Sequence, residues 1–236
     1  MKRAVDITVA LVALIIAAPV LAVAMLLIFA QDGSSPIYRG LRVGRGNRDF
    51  RMIKLRSMRV GSERHGVSTA RSDARVTPVG QFVRRWKIDE LPQFWNVLVG
   101  DMSIVGPRPN TRPGGVDRYT AAELRLLDVR PGITDLASIV FADEGDILDG
   151  AADPDALYDA VIRPWKSRLG LLYVERRSIW LDARIVTLTA VAIVSKPAAL
   201  GGVAQILDEL GADSELKRIC RRQAPLPRGL PPGMAY

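Results

Sequence analysis

The sequence predicts a mixed α/β protein, helix-dominated, with an N-terminal membrane segment and a small β-hairpin. Three observations predict it: an uncharged apolar run from Ile7 to Ala30, a glycine-punctuated stretch of short strands from Ser35 to Leu55, and apolar residues three and four apart from Val79 onward. Hydrophobic residues make up 48% of the 236 and aromatics only 6%, an aliphatic content too high for a disordered chain.

The N-terminal run comes first. At about 1.5 Å per residue it is about 36 Å long as a straight helix, against a hydrocarbon layer of roughly 30 Å. Pro19 stands at its middle, where it removes a backbone donor and crowds the preceding turn, so a kink or break is expected there. Lys2 and Arg3 precede the run, and Arg39, Arg42, Arg45 and Arg48 follow it, so both flanks are basic and give no orientation. Three arrangements are open on these residues. A cleaved leader is disfavoured by the length of the run and by Asp6. A straight span suits the length. A helix-break-helix that dips into one leaflet and returns puts both basic flanks against anionic lipid on one face.

Ser35 to Leu55 reads as strands with a hairpin closing near Gly46-Asn47. Gly61 to Thr77 lacks apolar periodicity and is expected to be a mobile surface loop, with His65 solvated in it. Val79, Phe82, Val83 and Trp86, then Leu91, Phe94, Trp95 and Leu98, predict two helices with core-facing stripes. The chain from Gly100 to Pro113 is rich in Gly and Pro, Ala121 to Leu127 looks helical, and Pro131-Gly132 marks a turn. Asp153-Pro154 opens a helix with Leu157, Val161 and Trp165 on one side. Ile185 to Val194 is short for a membrane span and reads as a packed or interfacial helix. Beyond Gly201 a helix through Leu216 is expected, and the four prolines between Ala224 and Tyr236 predict a disordered tail. The expected organisation is a membrane element over 1–30, a folded region over 31–200, and a C-terminal helix with a basic, proline-rich tail over 201–236.

The chemistry is narrowed by what is scarce. One cysteine, Cys220, excludes an internal disulfide framework and a multi-thiolate metal site, and one histidine, His65, excludes a His-pair zinc site. Carboxylates and arginines remain as tools. Asp89-Glu90-Leu91-Pro92 supports two readings. In one, Asp89 caps a helix and Glu90 complements its dipole. In the other, the carboxylates sit beside Arg84, Arg85 and Lys87, where a phosphate and a hard cation such as Mg²⁺ can meet. In Gly106-Pro107-Arg108-Pro109, prolines stiffen the loop around a guanidinium, which suits a bidentate phosphate contact; the plain alternative is a solvated surface arginine. The net charge of +8 suits anionic lipid or nucleotide phosphates. No helix-turn-helix, zinc-finger or ribonucleoprotein signature accompanies it, so no nucleic-acid partner is expected.

The string Lys87-Ile88-Asp89-Glu90-Leu91-Pro92-Gln93, with Asn96-Val97-Leu98, Gly100-Asp101-Met102-Ser103 and Val105-Gly106-Pro107-Arg108-Pro109, closely resembles the bacterial sugar transferase family, the monotopic phosphoglycosyl transferases. The resemblance spans nearly the whole folded chain. It takes in Lys2-Arg3, Asp6, Arg42-Val43-Gly44, Lys54, Arg56-Ser57-Met58, Asp73, Arg130-Pro131-Gly132-Ile133-Thr134, Tyr173, Ser178 and Asp182. It implies a membrane enzyme that transfers a sugar 1-phosphate from a UDP-sugar to a polyprenol phosphate, such as undecaprenyl phosphate, and releases UMP, the first step in building a lipid-linked glycan (exopolysaccharide, O-antigen, capsule or glycoprotein). It further implies that Asp89 forms a covalent phosphosugar intermediate and that Glu90 assists it or holds Mg²⁺ with it, with Asp182 near the metal. Arg84, Lys54, Pro107 and Arg108 would face the substrates. Lys2, Arg3 and Pro19 would set a re-entrant N-terminal helix on the cytoplasmic face of the bacterial cytoplasmic membrane, in contact with lipid, and the Trp86 to Trp95 and Ile179 to Val194 regions would lie along the interface.

The chain departs from the family's common pattern at Ala18-Pro19, where many members have Ser-Pro, at Gly40 and Leu55, at Asp135 after Pro-Gly-Ile-Thr, and at Ala137-Ser138. The last of these touch the lip of the expected sugar pocket and bear on specificity more than on reaction type. Starting at the Lys-Arg signature, the chain resembles the minimal, single-domain form, and a homodimer is compatible with it. The alternative from another class is a membrane-tethered scaffold or pseudoenzyme of the same fold, against which the retained Asp89, Glu90 and Arg108 argue.

Overall fold

The computed structural model describes residues 1–62 and 73–234, so His65 and most of the loop expected around it lie outside the described residues. The chain begins with one long helix, α1 (Lys2–Asp32), that contains Pro19. The expected break is therefore not present as an interruption of the helix. A proline removes one N–H bond, and the bonds on either side hold the helical turn together. Gly33, with φ 67°, ends the helix in the left-handed conformation that glycine adopts without a Cβ penalty.

Both ends of α1 are bonded to the folded region. At the start, Arg3 donates to the carbonyls of Val97 and Leu98, and the buried Asp6 carboxylate accepts from Ser103 Oγ and the Ile104 N–H. Lys2 donates to Asp182 Oδ2 and to the Val105 carbonyl. At the far end, Arg56 makes a two-point ion pair with Asp32 at 2.6 Å on each arm. Between them Ala10, Ala17, Ala24 and Ile28 are buried, while Ile15, Ile16, Val23 and Leu26 are exposed. Small residues on the inner face let the helix lie close; large aliphatics cover the outer face.

β1 (Ile37–Val43) and β2 (Asp49–Leu55) form the expected antiparallel hairpin, with Gly46 and Asn47 both at positive φ in the turn. α2 (Pro78–Arg85) starts at a Thr77 cap, whose hydroxyl accepts the Gly80 N–H. A Cβ on Gly80 would lie 2.0 Å from the Ser57 carbonyl oxygen, so only glycine lets α2 approach the chain leaving β2. α3 (Gln93–Val99) is docked on the hairpin by Asn96, whose side chain accepts the Ile53 N–H at 2.9 Å and donates to the Arg51 carbonyl at 2.8 Å. β3 (Ser103–Val105) and β4 (Gly132–Thr134) form a short parallel pair. Ala121 to Leu127, expected to be helical, is a 3-10 segment, Glu123–Asp128.

The remaining chain is helical: α4 (Leu136–Val140), α5 (Glu144–Ile147), α6 (Pro154–Val161), α7 (Arg163–Arg176), α8 (Ile179–Val194), α9 (Lys196–Glu209) and α10 (Ser214–Cys220). The main core lies where α4, α7 and α9 meet β3 and β4, around Trp165, Leu169, Tyr173, Ile139, Val203 and Ile206. Phe82, Trp86 and Trp95, expected as core residues, are exposed instead, and Val83 and Val97 fill the interior of their helices. Periodicity marks a stripe but does not say which neighbours cover it. The expected disordered tail is also corrected. Residues 224–234 run extended across α6 and α7, where the Pro227 carbonyl accepts from Trp165 Nε1, the Gly229 N–H donates to Ala160, and the Pro232 carbonyl accepts from Thr120. Their prolines cost little ordering entropy in an extended path.

Candidate active site

The Asp89-Glu90 pair does not cap a helix. Ile88–Glu90 forms a 3-10 turn, and α3 begins only at Gln93, after Pro92 and with no side-chain cap. Lys87, at φ 56°, reverses the chain between α2 and this turn. A left-handed conformation costs a residue with a side chain about 1 kcal/mol or more. The turn is held from behind by α3, which Asn96 fixes to β2 next to Lys54. Both carboxylates open on a cavity of about 600 Å³ that is also lined by Lys54, Arg84, Lys87 and Arg108, and by Tyr119, Tyr158, Glu144, Arg163 and Lys166.

The two carboxylates have different surroundings. Glu90 receives both arms of Arg108, at 2.7 and 2.8 Å, and Lys54 Nζ at 3.3 Å. Burial would push its pKa up, but Arg108 and Lys54 outweigh burial and hold it well below the ordinary glutamate range. Asp89 is buried, 7% exposed, and its Oδ1 has no hydrogen-bond partner among the described residues. Burial raises the Asp89 pKa against the pull of Lys54, Lys87 and Arg84. Burial likewise lowers Lys54 and Arg84. Arg84 donates to Ser57 Oγ at 2.8 Å, and neither it nor Lys87 has a carboxylate in ion-pair distance among the described residues.

The structure thus brings together Asp89, Glu90, Arg84, Lys54 and Arg108, with Pro107 buried directly behind Arg108. Arg108, expected at a phosphate, is engaged by Glu90 and by the Ile133 carbonyl, which orients its planar fork. Asp182 is not in the cavity. It is the partner of Lys2 and of the Tyr173 hydroxyl, 2.7 Å away, at the start of α1, so its expected place near a metal is corrected to one in anchoring the N-terminal helix. Lys2 and Arg3 are likewise anchors, and Pro19 lies within α1, away from the cavity. No group of three or more metal-ligand side chains occurs among the described residues. The free Asp89 oxygen and its Glu90 neighbour still fit a hard cation of the kind that takes one or two carboxylates and finishes its shell with phosphate and water.

Lys87, two residues before Asp89 and expected among the cations beside the carboxylates, lines the cavity, whereas Arg85 of the same group does not. Tyr119, Glu144, Tyr158, Arg163 and Lys166 were not expected, because they lie far along the chain and share no local pattern with the Asp-Glu turn. Asp135 and Ser138, where the sequence departs from the family's pattern, line a small recess off the cavity.

The model of the family described as "Bacterial sugar transferase" matches residues 1–196. The chain is 40% identical over 197 residues to a UDP-N-acetylgalactosamine-undecaprenyl-phosphate N-acetylgalactosaminephosphotransferase of Aeromonas hydrophila, covering 82% of this chain and 44% of that protein. It is 33% identical over 201 residues to a UDP-glucose:undecaprenyl-phosphate glucose-1-phosphate transferase of Caulobacter vibrioides, covering 82% of this chain and 70% of that one. A putative undecaprenyl-phosphate N-acetylgalactosaminyl 1-phosphate transferase of Bacillus subtilis is 45% identical over 136 residues, 53% of this chain and 76% of that protein. The chain spans less than half the length of the Aeromonas relative. With its turn of paired carboxylates, its apolar first helix and a family match that runs from residue 1 to 196, the chain belongs to the bacterial sugar transferase family.

Proposed function

We propose that the protein transfers a sugar 1-phosphate from a UDP-sugar to undecaprenyl phosphate or a similar polyprenol phosphate, with release of UMP. The observation that carries this is the buried Asp89 Oδ1, which has no hydrogen-bond partner among the described residues, on a cavity also lined by Arg84 and Lys87. A carboxylate needs no general base, which suits a chain with a single histidine. In the first step an Asp89 oxygen attacks the sugar-bearing phosphorus, the bond from that phosphorus to the bridging oxygen breaks, and UMP leaves with the electron pair. In the second, an oxygen of the lipid phosphate attacks the same phosphorus and the bond to Asp89 breaks, which returns the free carboxylate.

Attack of one anion on another requires nearby positive charge, and Arg84, Lys87 and Lys54 supply it in a partly desolvated site where it acts strongly. Arg108 and Lys54 keep Glu90 ionised, and Glu90 in turn keeps Arg108 fixed. Asp89 and Glu90 would hold Mg²⁺, whose contribution is to neutralise the diphosphate.

The placement of α1 supports a monotopic membrane attachment. A helix of 31 residues, about 46 Å long when straight, carries an exposed aliphatic face, yet both of its ends are bonded to one folded region. That region would have to lie on both sides of the bilayer if α1 crossed it. A re-entrant or surface-lying helix would put the cavity at the lipid surface, and on the cytoplasmic side a soluble nucleotide sugar and a lipid phosphate could both reach it. The experiment is UMP release from a panel of UDP-sugars with detergent-solubilised protein, Mg²⁺ and undecaprenyl phosphate. Release with one donor, lost in Asp89→Asn, is expected; equal release by the variant removes Asp89 from its role.

A further inference from the structure

We propose that Arg222 is a positioning residue of the cavity: from the chain beyond the family-matched residues it holds Asp143 and Phe141, and so sets residues 141–145 for the nucleotide-sugar donor. This rests on the transferase reading above and deepens it with a residue that acts on donor binding from outside the cavity.

Phe141, Ala142, Glu144 and Gly145 line the cavity, whereas Asp143, in their midst, is not among the residues that line it. Asp143 stands at the cap position of α5, where an aspartate ordinarily accepts N–H bonds from the first helical turn. Its side chain makes no such bond. Its Oδ2 is instead engaged by two cations, Lys196 Nζ at 2.5 Å and Arg222 Nη2 at 2.9 Å. Lys196 is the last residue of the family match, and Arg222 lies well beyond it, after α10.

Arg222 also reaches the lining itself. Its guanidinium carbon is 5.6 Å from the centre of the Phe141 ring, and Phe141 is buried. A charge-assisted hydrogen bond at Asp143 and a cation over the ring at Phe141 thus fix the same short segment at two places. Lys196 supplies a second charge to Asp143, but the ring contact is that of Arg222.

The backbone carries a matching sign. Arg222 has φ 53°, in the left-handed region that a residue with a side chain adopts only under strain. A glycine would take this conformation freely, and what arginine adds there is its reach to Asp143 and Phe141. The residue is placed by a packed element: Leu216, Ile219 and Cys220 of α10 belong to the main core, and the Arg222 N–H donates to the Ile219 carbonyl. Glu144 pairs with Lys166, and both line the cavity. Charged groups there suit a polar, hydrated ligand and not the hydrocarbon of a polyprenol, so the donor is the substrate whose binding this segment affects.

The test uses the full-length, detergent-solubilised protein with Mg²⁺. UDP-glucose and UDP-N-acetylgalactosamine are each varied in UMP release at fixed undecaprenyl phosphate, and binding of each is measured by calorimetry. Wild type is compared with Arg222→Ala, Asp143→Asn and the double variant, and with Arg218→Ala, exposed on α10, as control. Arg222→Ala is expected to raise KM and Kd for the donor that wild type uses by about fivefold or more, with kcat within about twofold. Asp143→Asn, which keeps the side-chain shape, raises them in the same direction. The double variant is no worse than Arg222→Ala, because the two residues act through one contact. Arg218→Ala matches wild type.

A merely structural arginine gives another pattern, in which a smaller folded fraction lowers kcat and leaves KM unchanged. That pattern would overturn the proposal, as would a smaller rise in KM, an equal rise in Arg218→Ala, or single effects that multiply in the double variant. If Arg222→Ala does not fold, Asp143→Asn decides, and a donor KM equal to that of wild type overturns the proposal. UMP release by wild type with an unaltered donor KM in the variants overturns it and leaves the transferase reading intact. With donor binding but no release, which removes the transferase reading, an unchanged Kd in Arg222→Ala overturns the positioning role and a Kd raised about fivefold or more supports it. Neither binding nor release by wild type would overturn the two together.

Discussion

Asp89 is a residue whose surroundings disfavour its charge. Its raised pKa means that the folded state holds the proton more tightly than the unfolded chain, so its contribution to stability is present below the ordinary aspartate value of 3.8 and is lost as pH rises through the raised value. Asp89→Asn is therefore expected to stabilise the fold at neutral pH by about 1 kcal/mol while abolishing transfer. Thermal unfolding of the two proteins side by side, with UMP release, checks both; a variant less stable than wild type would show that the Asp89 charge is compensated. The same shift sets the acid limb of the reaction. Glu90 stays ionised well into acid because of Arg108 and Lys54, so the loss of rate on acidification should follow Asp89, with a midpoint above 3.8. A pH–rate profile of the covalent step whose midpoint lies at or below that value would detach the limb from Asp89.

At the scale of elements, the site wall depends on one carboxylate with no exposure at all. Glu123 accepts from two nitrogens of Arg163, from Ser167 Oγ and from the Thr120 N–H, so it ties the 120–128 segment to the start of α7. Glu123→Gln would leave Arg163 without its main counter-charge and is expected to cost about 3 kcal/mol, read as a lower urea midpoint with unchanged slope. α9 is a second such element. Ala199, Val203, Ile206 and Leu207 are all fully buried although the family match ends at residue 196. Ile206→Ala should cost about 3 kcal/mol, and a loss under about 0.5 kcal/mol would mean that α9 is dispensable to the core. The one helix expected from Gly201 through Leu216 is instead two, α9 and α10, separated at Gly211 (φ 68°), and the place of α9 in the centre of the fold was not expected.

At the scale of the whole molecule, the arrangement of α1 makes a topological prediction. Asp6 and Arg3 at one end and Asp32 at the other are bonded to the same folded region, so both ends should face the same side of a membrane. Single cysteines placed at Met1 and at Ser34 are expected to react with a membrane-impermeant maleimide from the cytoplasmic side only; the native Cys220 is buried and stays silent. Labelling of the two positions from opposite sides would establish a crossing helix and require the bonds at one end to be broken.

The sequence by itself determined the features that depend on near neighbours. The apolar run, the hairpin turn at Gly46-Asn47 and the Asp153 helix start are each encoded within a few residues, and each is where the pattern put it. Tertiary structure alone decided what depends on distant partners. Asp182 belongs to Lys2, Arg108 is held by Glu90, the prolines of the tail lie against α7, and Trp86 and Trp95 stay exposed. Lys166 and Glu144 come to the cavity that holds Asp89 only because α7 packs on α4. Local steric preference acts over one or two turns of chain, whereas ion pairing and burial depend on which surfaces meet, and that is settled only when the whole chain has packed.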